Sequence, residues 1–244
     1  MHTQRNELNF SGQNIYVGID VHLKSWSITI LTEQLHHKTF TQPTDPAVLV
    51  SYLRDHFPGG IYHSAYEAGF SGFWAHYELE RMGINNIVVN PADVPGTQKE
   101  HLQKTDSIDS RKIARSLRSG ELTGIYIPKV STLEARSLLR SRTAIVKDLS
   151  RMKQRIKSLL YFYGITYPAI FEKNGTHWSK RFMKWLTEDI TLDTDQGRQA
   201  LYLLVKSAQQ QRKLLLEATR KIRELSRTCD YEEQLRLIRT VPGT

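Results

Sequence analysis

Residues 15–22 read IYVGIDVH, a run of aliphatic and β-branched residues that ends in an aspartate, a valine and a histidine. A run of this composition predicts a buried strand. Residues 26–31 (WSITIL) alternate along their length, and the stretch between the two runs is short enough for a hairpin turn. Residues 38–41 can supply a third strand, so we expect the fold to begin with consecutive strands.

After these strands, helical and extended patterns alternate, and each helical pattern ends at a glycine or at a Pro-Gly pair. The predicted elements are helices over residues 45–57, 73–82 and 107–119 and strands over residues 61–67 and 86–90. Leading strands followed by alternating helices and strands predict an α/β domain with a mixed sheet. We assign this domain to residues 15–128, after a flexible leader at residues 1–14.

The second half of the chain has a different periodicity. Between residues 133 and 163, apolar residues recur in steps of mostly three and four, and residues 201–225 repeat those steps with Gln211 as the polar interruption. This spacing predicts an all-α region, a long helical coiled-coil hairpin over residues 129–236 with an irregular insert at about 164–195. It leaves open whether each helix pairs within the chain or with another copy.

Charge is distributed unevenly along a chain of formal net charge +9. Residues 1–124 carry 11 basic and 13 acidic side chains, whereas residues 125–244 carry 23 basic and 12 acidic ones. A strongly basic half favours a polyanionic partner, most often a nucleic acid. A solvated helical face rich in arginine and lysine would give the same counts.

Several classes of protein are excluded by composition. No stretch approaches 18 uncharged apolar residues, so we expect no membrane partner, and the first residues lack the apolar core of a secretory signal. The single cysteine, Cys229, cannot form an internal disulfide or a zinc site that needs two cysteines. We therefore expect a cytoplasmic, bacterial-type protein.

Four acidic residues stand where a sheet presents its ligands. Asp20 and Glu67 each lie at the end of a predicted strand, and Asp106 and Asp109 face the same way on one helical turn. Crowded carboxylates repel one another unless cations hold them, and Mg²⁺ prefers hard oxygen ligands. The pattern therefore favours a metal site acting on a phosphodiester. The alternative is that such acids are common at these places and Asp106 caps its helix. His22, two residues after Asp20, could orient a substrate, but it is set aside because a single histidine at a strand end is more often structural or solvated.

Three short motifs in this order carry a resemblance to a known family. Residues 18–22 (GIDVH) resemble the opening motif of the DEDD-type insertion-sequence transposases, the RNA-guided bridge recombinase family. Residues 66–69 (YEAG) resemble their second acidic motif, and residues 104–109 (KTDSID) resemble the third. The third motif departs from the family pattern in carrying Ser110 in place of alanine, which removes no carboxylate.

The resemblance implies a RuvC-like amino-terminal domain of RNase H fold. It implies that Asp20, Glu67, Asp106 and Asp109 are the catalytic acids and bind Mg²⁺ or Mn²⁺. It further implies that the helical region joins protomers into a homodimer or higher oligomer. The expected partners are DNA and a structured noncoding guide RNA, with the protein associated with the nucleoid when it acts in DNA strand exchange.

The resemblance also bears on how much of the protein is present. Residues 237–244 resemble the start of a carboxy-terminal transposase domain, which in the family supplies a nucleophilic serine. No serine in this sequence matches that nucleophile. We therefore expect a chain truncated before that domain, which binds metal, RNA and its own copies but does not recombine DNA alone.

Basic residues around the third motif and along the first long helix are candidate nucleic-acid contacts. Those near the motif are Lys104, Arg111, Lys112, Arg115 and Arg118. Those on the helix are Arg136, Arg140, Arg142, Lys147, Arg151, Lys153, Arg155 and Lys157. The neighbouring aromatic residues Tyr161, Phe162, Tyr163 and Tyr167 can stack on unpaired bases, but packing in the core or at an interface is the favoured interpretation.

Three other functions are compatible with parts of the pattern. A stand-alone structure-selective DNA nuclease of RuvC-like fold needs only the four acids and a metal, so it is the main alternative. An actin-like sugar kinase also has an aspartate near its first strand, but no Walker-type phosphate loop is visible. A non-enzymatic scaffold that dimerises and binds RNA would account for the basic helices alone.

Overall fold

The computed structural model describes residues 9–95, 106–171 and 177–242. The chain divides into two compact units, Met1–Ile127 and Pro128–Thr244. The first unit is α/β and the second is all-α, so the predicted fold class is confirmed. None of the described helices is both long and apolar enough to cross a membrane.

The first unit is built on a five-stranded mixed sheet. Its strands are β1 (Asn14–Val21), β2 (Trp26–Thr32), β3 (His36–Gln42), β4 (Ile61–Glu67) and β5 (Asn85–Val89). Their order across the sheet is β3-β2-β1-β4-β5; β2 runs antiparallel to both of its neighbours, β1 and β3, and β4 and β5 run parallel to β1. This is the strand order of the RNase H fold that the resemblance implies.

Helices cover both faces of this sheet. They are α1 (Pro46–His56), α2 (Trp74–Arg81) and α3 (Asp106–Arg118), and a 3₁₀ turn (Pro91–Asp93) follows β5. The core between the sheet and α1 and α2 contains Ile15, Val17 and Ile19 of β1 together with Leu49 and Leu79. On the opposite face, Ile113 of α3 packs with Ala65 and Val89. Because side chains alternate along a strand, residues 18 and 20 of β1 face α3.

The predicted elements of the first unit are all present, and their ends differ from the predictions by at most two residues. The sequence analysis assigned residues 1–14 to a flexible leader. In the structure, residues 9–14 of that segment belong to the folded first unit. The ring of Phe10 lies 5.1 Å from that of Phe57, its backbone N–H donates to the carbonyl of Pro58 at 2.9 Å, and Asn14 begins β1.

The second unit is dominated by two long helices, α4 (Val130–Phe162) and α6 (Asp195–Leu225). Arg142 donates to Thr219 near one end, and Leu159 and Leu204 line a common cavity near the other. The two helices therefore run antiparallel and pair within the chain. Pairing between copies stays a prediction. A final helix, α7 (Cys229–Ile238), follows α6.

The insert between α4 and α6 is an aromatic core rather than a loose loop. It contains a 3₁₀ turn (Ala169–Phe171), the short helix α5 (Lys180–Lys184) and a π-helical turn (Trp185–Asp189). Phe171, Phe182 and Trp185 are buried there and pack with Leu149, Ile156 and other residues of the long helices. On α4, the predicted apolar seam ends one turn early: Leu160 is buried, whereas Tyr163 is exposed.

Candidate functional site

Two of the predicted acids end neighbouring parallel strands. Ile19 of β1 pairs with Tyr66 of β4, so Asp20 and Glu67 follow at the same level of the sheet. Tyr66 belongs to the core on the α1 and α2 side, which directs Glu67, like Asp20, towards the α3 side. Strand pairing therefore brings together two carboxyl groups that are 47 positions apart in the sequence.

The other two acids arrive on the first turn of α3, which holds Asp106 and Asp109. This helix lies directly on β1 at Gly18. A Cβ atom at that position would overlap the backbone carbonyl oxygen of Ser110 and the backbone nitrogen of Ala114. The glycine of the GIDVH stretch is thus what allows α3 to approach closely enough to place its acids beside Asp20.

A buried network of hydroxyl groups sets the position of α3 on the sheet. The Ser110 Oγ atom lies 2.9 Å from Thr29 Oγ1 and 3.2 Å from Ser27 Oγ, and Thr29 Oγ1 lies 2.9 Å from Thr39 Oγ1. Ser110 is the position at which the third motif departs from the family pattern. The serine follows Asp109 directly, so its contacts with β2 bear on where the acids sit.

His22 is the residue of this site that the sequence analysis set aside. Its Nε2 atom lies 2.9 Å from Asp20 Oδ2 and 3.3 Å from Asp106 Oδ1. Among the described residues, Asp20, His22 and Asp106 form the one group of three potential metal-ligating side chains whose donor atoms lie within 4.8 Å of one another. The available signal was the spacing of two, which puts His22 on the same face of the strand as Asp20.

The electrostatics of the site reflect crowded negative charge. Burial raises the pKa of the Asp20 carboxyl; the His22 imidazole opposes this, and the neighbouring Asp109 and Asp106 carboxylates add to it. Burial by itself would lower the pKa of His22, but Asp20 and Asp106 outweigh it and the net shift is upward. Both shifts have the sign expected where acids outnumber cations.

A profile of the DEDD-type IS110 family, described as Transposase, matches residues 17–165. This chain belongs to that family of transposases. The match spans all four predicted acids, Gly18 and His22, as well as helix α4.

Two relatives of the IS110-family chain are similar over different lengths. The transposase for insertion sequence element IS1533 of Leptospira borgpetersenii is 25% identical over 236 residues, 95% of this chain and 66% of the relative. The protein y4qE of Sinorhizobium fredii, whose name is that of a transposase, is 32% identical over 123 residues, 50% of this chain and 30% of the relative. The chain therefore spans about two thirds of the first relative's length and less than a third of the second's.

Among solved structures, RuvC of Thermus thermophilus is similar at 11% identity and a TM-score of 0.33, over 46% of this chain and 99% of RuvC. The same values hold for T. thermophilus RuvC in complex with a Holliday junction substrate.

Four of the candidate nucleic-acid contacts lie on α3 in the first unit of this IS110-family chain. Arg111 is exposed and Lys112 is half-buried. The Nη1 atom of Arg118 donates to the backbone carbonyl of Thr32 at 3.3 Å, and the Nε of Arg115 donates to that of Arg111 at 3.4 Å. Lys104 lies outside the described residues. Arg118 is thus engaged in holding α3 to β2, whatever else it contacts.

Basic residues of the second unit follow α4 and differ in what they already contact. Arg136, Arg140, Lys147 and Arg155 are exposed, and Lys157 is half-buried. Arg151 pairs with Asp148 at 2.7 Å. Arg142 Nε donates to Thr219 Oγ1 at 3.1 Å, and Lys153 Nζ lies 5.2 Å from the centre of the Trp178 ring. Arg142 and Lys153 therefore stabilise the helical unit, which leaves the exposed members as better candidates for phosphate contacts.

The aromatic residues at the end of α4 do not form one packed cluster. Tyr167 packs against Phe182 and Trp185 in the insert, as the favoured interpretation predicted. Tyr161 and Phe162 are 88% and 79% exposed, so these two do not pack in the core of this chain, and packing at an interface stays a prediction. The helix turns them outwards because Leu160 takes the buried position on that turn.

Proposed function

We propose that the chain is the amino-terminal part of a DNA recombinase that binds Mg²⁺ or Mn²⁺ through Asp20, Glu67, Asp106 and Asp109. The observation that carries the proposal is that the end of β1 and the first turn of α3, 86 positions apart in the sequence, meet with three aspartates in electrostatic contact. Family membership supports the reaction class, since the matched family is that of transposases.

The residues fit a hard divalent cation. Carboxylate oxygens are the ligands that Mg²⁺ and Mn²⁺ prefer. Burial, together with the carboxylates of Asp109 and Asp106, raises the pKa of Asp20, so a bound cation would stabilise its charged form. When bound, such an ion polarises a phosphodiester and stabilises negative charge on its oxygens. In this proposal, the four acids hold the ion at the carboxyl ends of β1 and β4. Gly18 and Ser110 keep the two acids of α3 in position beside the two acids of the strands.

The helical unit is proposed to bind a structured guide RNA and to join protomers. Its net positive charge supports the first role, since phosphate backbones attract exposed arginine and lysine. Apolar side chains left on the surface of the long helices support the second, among them Leu139, Leu203, Leu214 and Leu216. In such a scheme base pairing supplies the sequence specificity and the protein holds backbones.

The experiment is to purify the chain from cells that carry its complete genetic element and to identify any bound nucleic acid. The bound material is treated with RNase and with DNase, sequenced, and challenged with increasing salt. We expect one structured RNA species and no recombination of DNA by this chain alone. Absence of RNA, or heterogeneous DNA released at moderate salt, would contradict the RNA-guided part of the proposal.

A second candidate is a stand-alone structure-selective nuclease. It is favoured by one observation: all four acids lie within the first unit, so hydrolysis would need nothing from the second. Cleavage of branched DNA in Mg²⁺ or Mn²⁺ that disappears in Asp20→Ala would support this candidate. The recombinase proposal expects no such cleavage by this chain alone.

A further inference from the structure

Three donor atoms from two kinds of side chain converge at the end of β1. His22 Nε2 is 2.9 Å from an oxygen of Asp20 and 3.3 Å from an oxygen of Asp106, and all three atoms lie within 4.8 Å of one another. The residues to which the family resemblance assigns metal binding are four acids. The imidazole therefore adds a nitrogen donor to a set otherwise made of oxygen.

These separations match those between ligands of one ion. Octahedral ligands about 2.1 Å from an ion are about 3.0 Å apart when adjacent and about 4.2 Å apart when opposite. Tetrahedral ligands about 2.0 Å from an ion are about 3.3 Å apart. An ion placed between the three atoms can therefore contact all of them with small side-chain movements and no change in the backbone.

The backbone around His22 supports this placement. His22 follows β1 by one residue, and its backbone N–H donates to the carbonyl of Ser25 at 3.1 Å, which closes the turn into β2. Asp20 is anchored by the sheet, and Asp106 by the helix that rests on Gly18. The three ligands are thus carried by two fixed segments, the end of β1 and the first turn of α3, as an ordered coordination shell requires.

We propose that His22 is a metal ligand, and that through its Nε2 atom together with Asp20 and Asp106 the site takes a first-row transition cation such as Mn²⁺ more tightly than Mg²⁺. The reason is that imidazole suits transition ions, whereas all-oxygen sites suit Mg²⁺. This inference rests on the proposed function, since it uses two of the same acids. It changes the ion that the site selects and adds a ligand.

The test uses the purified chain with Mn²⁺ alone as the probe. Electron paramagnetic resonance counts bound Mn²⁺, and pulsed measurements detect the coupling of a directly bound nitrogen, with ¹⁵N-histidine labelling to identify imidazole. We expect an imidazole coupling in the wild-type chain that is absent in His22→Ala. Loss of His22 should raise the Kd for Mn²⁺ about tenfold or more, because even outer-shell partners of ligands contribute about 10–100-fold. The Kd for Mg²⁺ should change by less than about threefold, since Mg²⁺ gains little from imidazole.

The matched control is His63→Ala. His63 lies near the beginning of β4, at the end of the strand opposite to Glu67, and contacts Asn14. It should leave Mn²⁺ binding and the nitrogen coupling unchanged. Asp20→Asn should abolish binding, which assigns the signal to this site. The wild-type spectrum decides the question even if a variant fails to fold, since it needs no substitution.

Two outcomes separate this inference from the function on which it rests. Mn²⁺ bound without a nitrogen coupling, with unchanged affinity in His22→Ala and loss in Asp20→Asn, would overturn the role of His22 and leave the acidic metal centre intact. Absence of Mn²⁺ and Mg²⁺ binding in the wild-type chain, or full binding in Asp20→Asn, would overturn both.

Discussion

The contacts that stabilise the first unit internally differ in kind from those that stabilise the second unit. In the first, a helix rests backbone to backbone on a strand at Gly18, and a buried network of hydroxyl groups sets its position. In the second, two long helices pair through spaced apolar residues, and an aromatic insert fills the space beside them. The first arrangement places a few side chains accurately, whereas the second presents a long basic surface.

This difference matches what each unit is proposed to do. A metal centre needs donor atoms held within a fraction of an ångström, which close packing on rigid elements provides. Contacts with a nucleic-acid backbone need positive charge spread over a length, and they tolerate local movement. Substitutions in the two units should therefore have different consequences, which the following experiments test.

The largest expected effect is in the insert of the helical unit. The fully buried Phe182 ring lies 5.1 Å from that of Phe171 and 5.4 Å from that of Trp185. Phe182→Ala should lower the free energy of unfolding by about 3–5 kcal/mol, because it removes buried apolar surface and leaves a cavity. Urea denaturation followed by circular dichroism measures this.

The control is Phe162→Ala, which removes the same ring from a site that is 79% exposed. Its effect should stay within about 0.5 kcal/mol. Equal losses in the two variants would show that the aromatic insert is not the core of the helical unit.

The next largest effect is expected where α3 meets β1. Gly18→Ala should destabilise the first unit by about 3 kcal/mol, at the upper end for overpacking, because the new methyl group meets backbone atoms that cannot rotate away. Hydrogen exchange should speed up in β1 and α3 and stay unchanged in α4 and α6. Faster exchange in α4 and α6 as well would contradict the expectation that the loss of stability is confined to the first unit.

Gly69→Ala is the matched control for this substitution. The nearest atom to a Cβ there is the backbone oxygen of Glu67, at 4.0 Å, so a methyl group fits. We expect hydrogen exchange in β1 and α3 to remain at the wild-type rate.

A smaller effect is expected from the hydroxyl network. Ser110→Ala should cost about 1–2 kcal/mol, because the buried Ser27 hydroxyl loses the partner it has at 3.2 Å. Thr29 keeps its contact with Thr39 at 2.9 Å. Thermal unfolding of the first unit measures the change.

The double variant Ser27→Ala with Ser110→Ala should recover part of that loss, since removing both partners leaves no unpaired group between them. Additive losses in the double variant would show that the two hydroxyl groups do not act through each other.

The smallest effect concerns salt dependence in the helical unit. If RNA binds along α4, Arg155→Gln should make the log–log dependence of affinity on salt shallower by about 0.7 for a single-stranded contact or about 0.9 for a duplex. Arg142→Gln should leave that slope unchanged and lower stability instead, because Arg142 donates to Thr219 within the unit. Filter binding across a salt series distinguishes the two variants, and equal slopes would remove Arg155 from the interface.

Much of the fold was predictable because the patterns are local. The β-branched run of β1, the alternation in β2, the glycines that end helices and the spacing of the long helices each depend on neighbouring residues only. The predictions were weaker where the direction of a side chain depends on the rotational phase of its helix or on the segments that pack against it. The sequence did not decide whether Tyr161 and Phe162 pack in the core or at an interface, and the last turn of α4 directs both outwards.

The candidate site was predictable in part. Asp20 and Glu67 could be placed together because both end strands of one sheet. The spacing of Asp106 and Asp109 placed them on one helical turn, and the family resemblance implied that all four acids bind the same metal. His22 was set aside, because a single histidine after a strand has many ordinary roles. Its proximity to both Asp20 and Asp106 depends on where α3 sits.

By itself the sequence determined the strands and helices and the basic second half, since each follows from composition or short-range periodicity, and it singled out four candidate acids. The tertiary structure alone decided that Asp20, His22 and Asp106 converge and that Arg142 and Lys153 are engaged within the helical unit. The physical reason is that these contacts join segments far apart along the chain. Their distances are set by how closely one backbone can approach another, as at Gly18, and no local pattern contains that information.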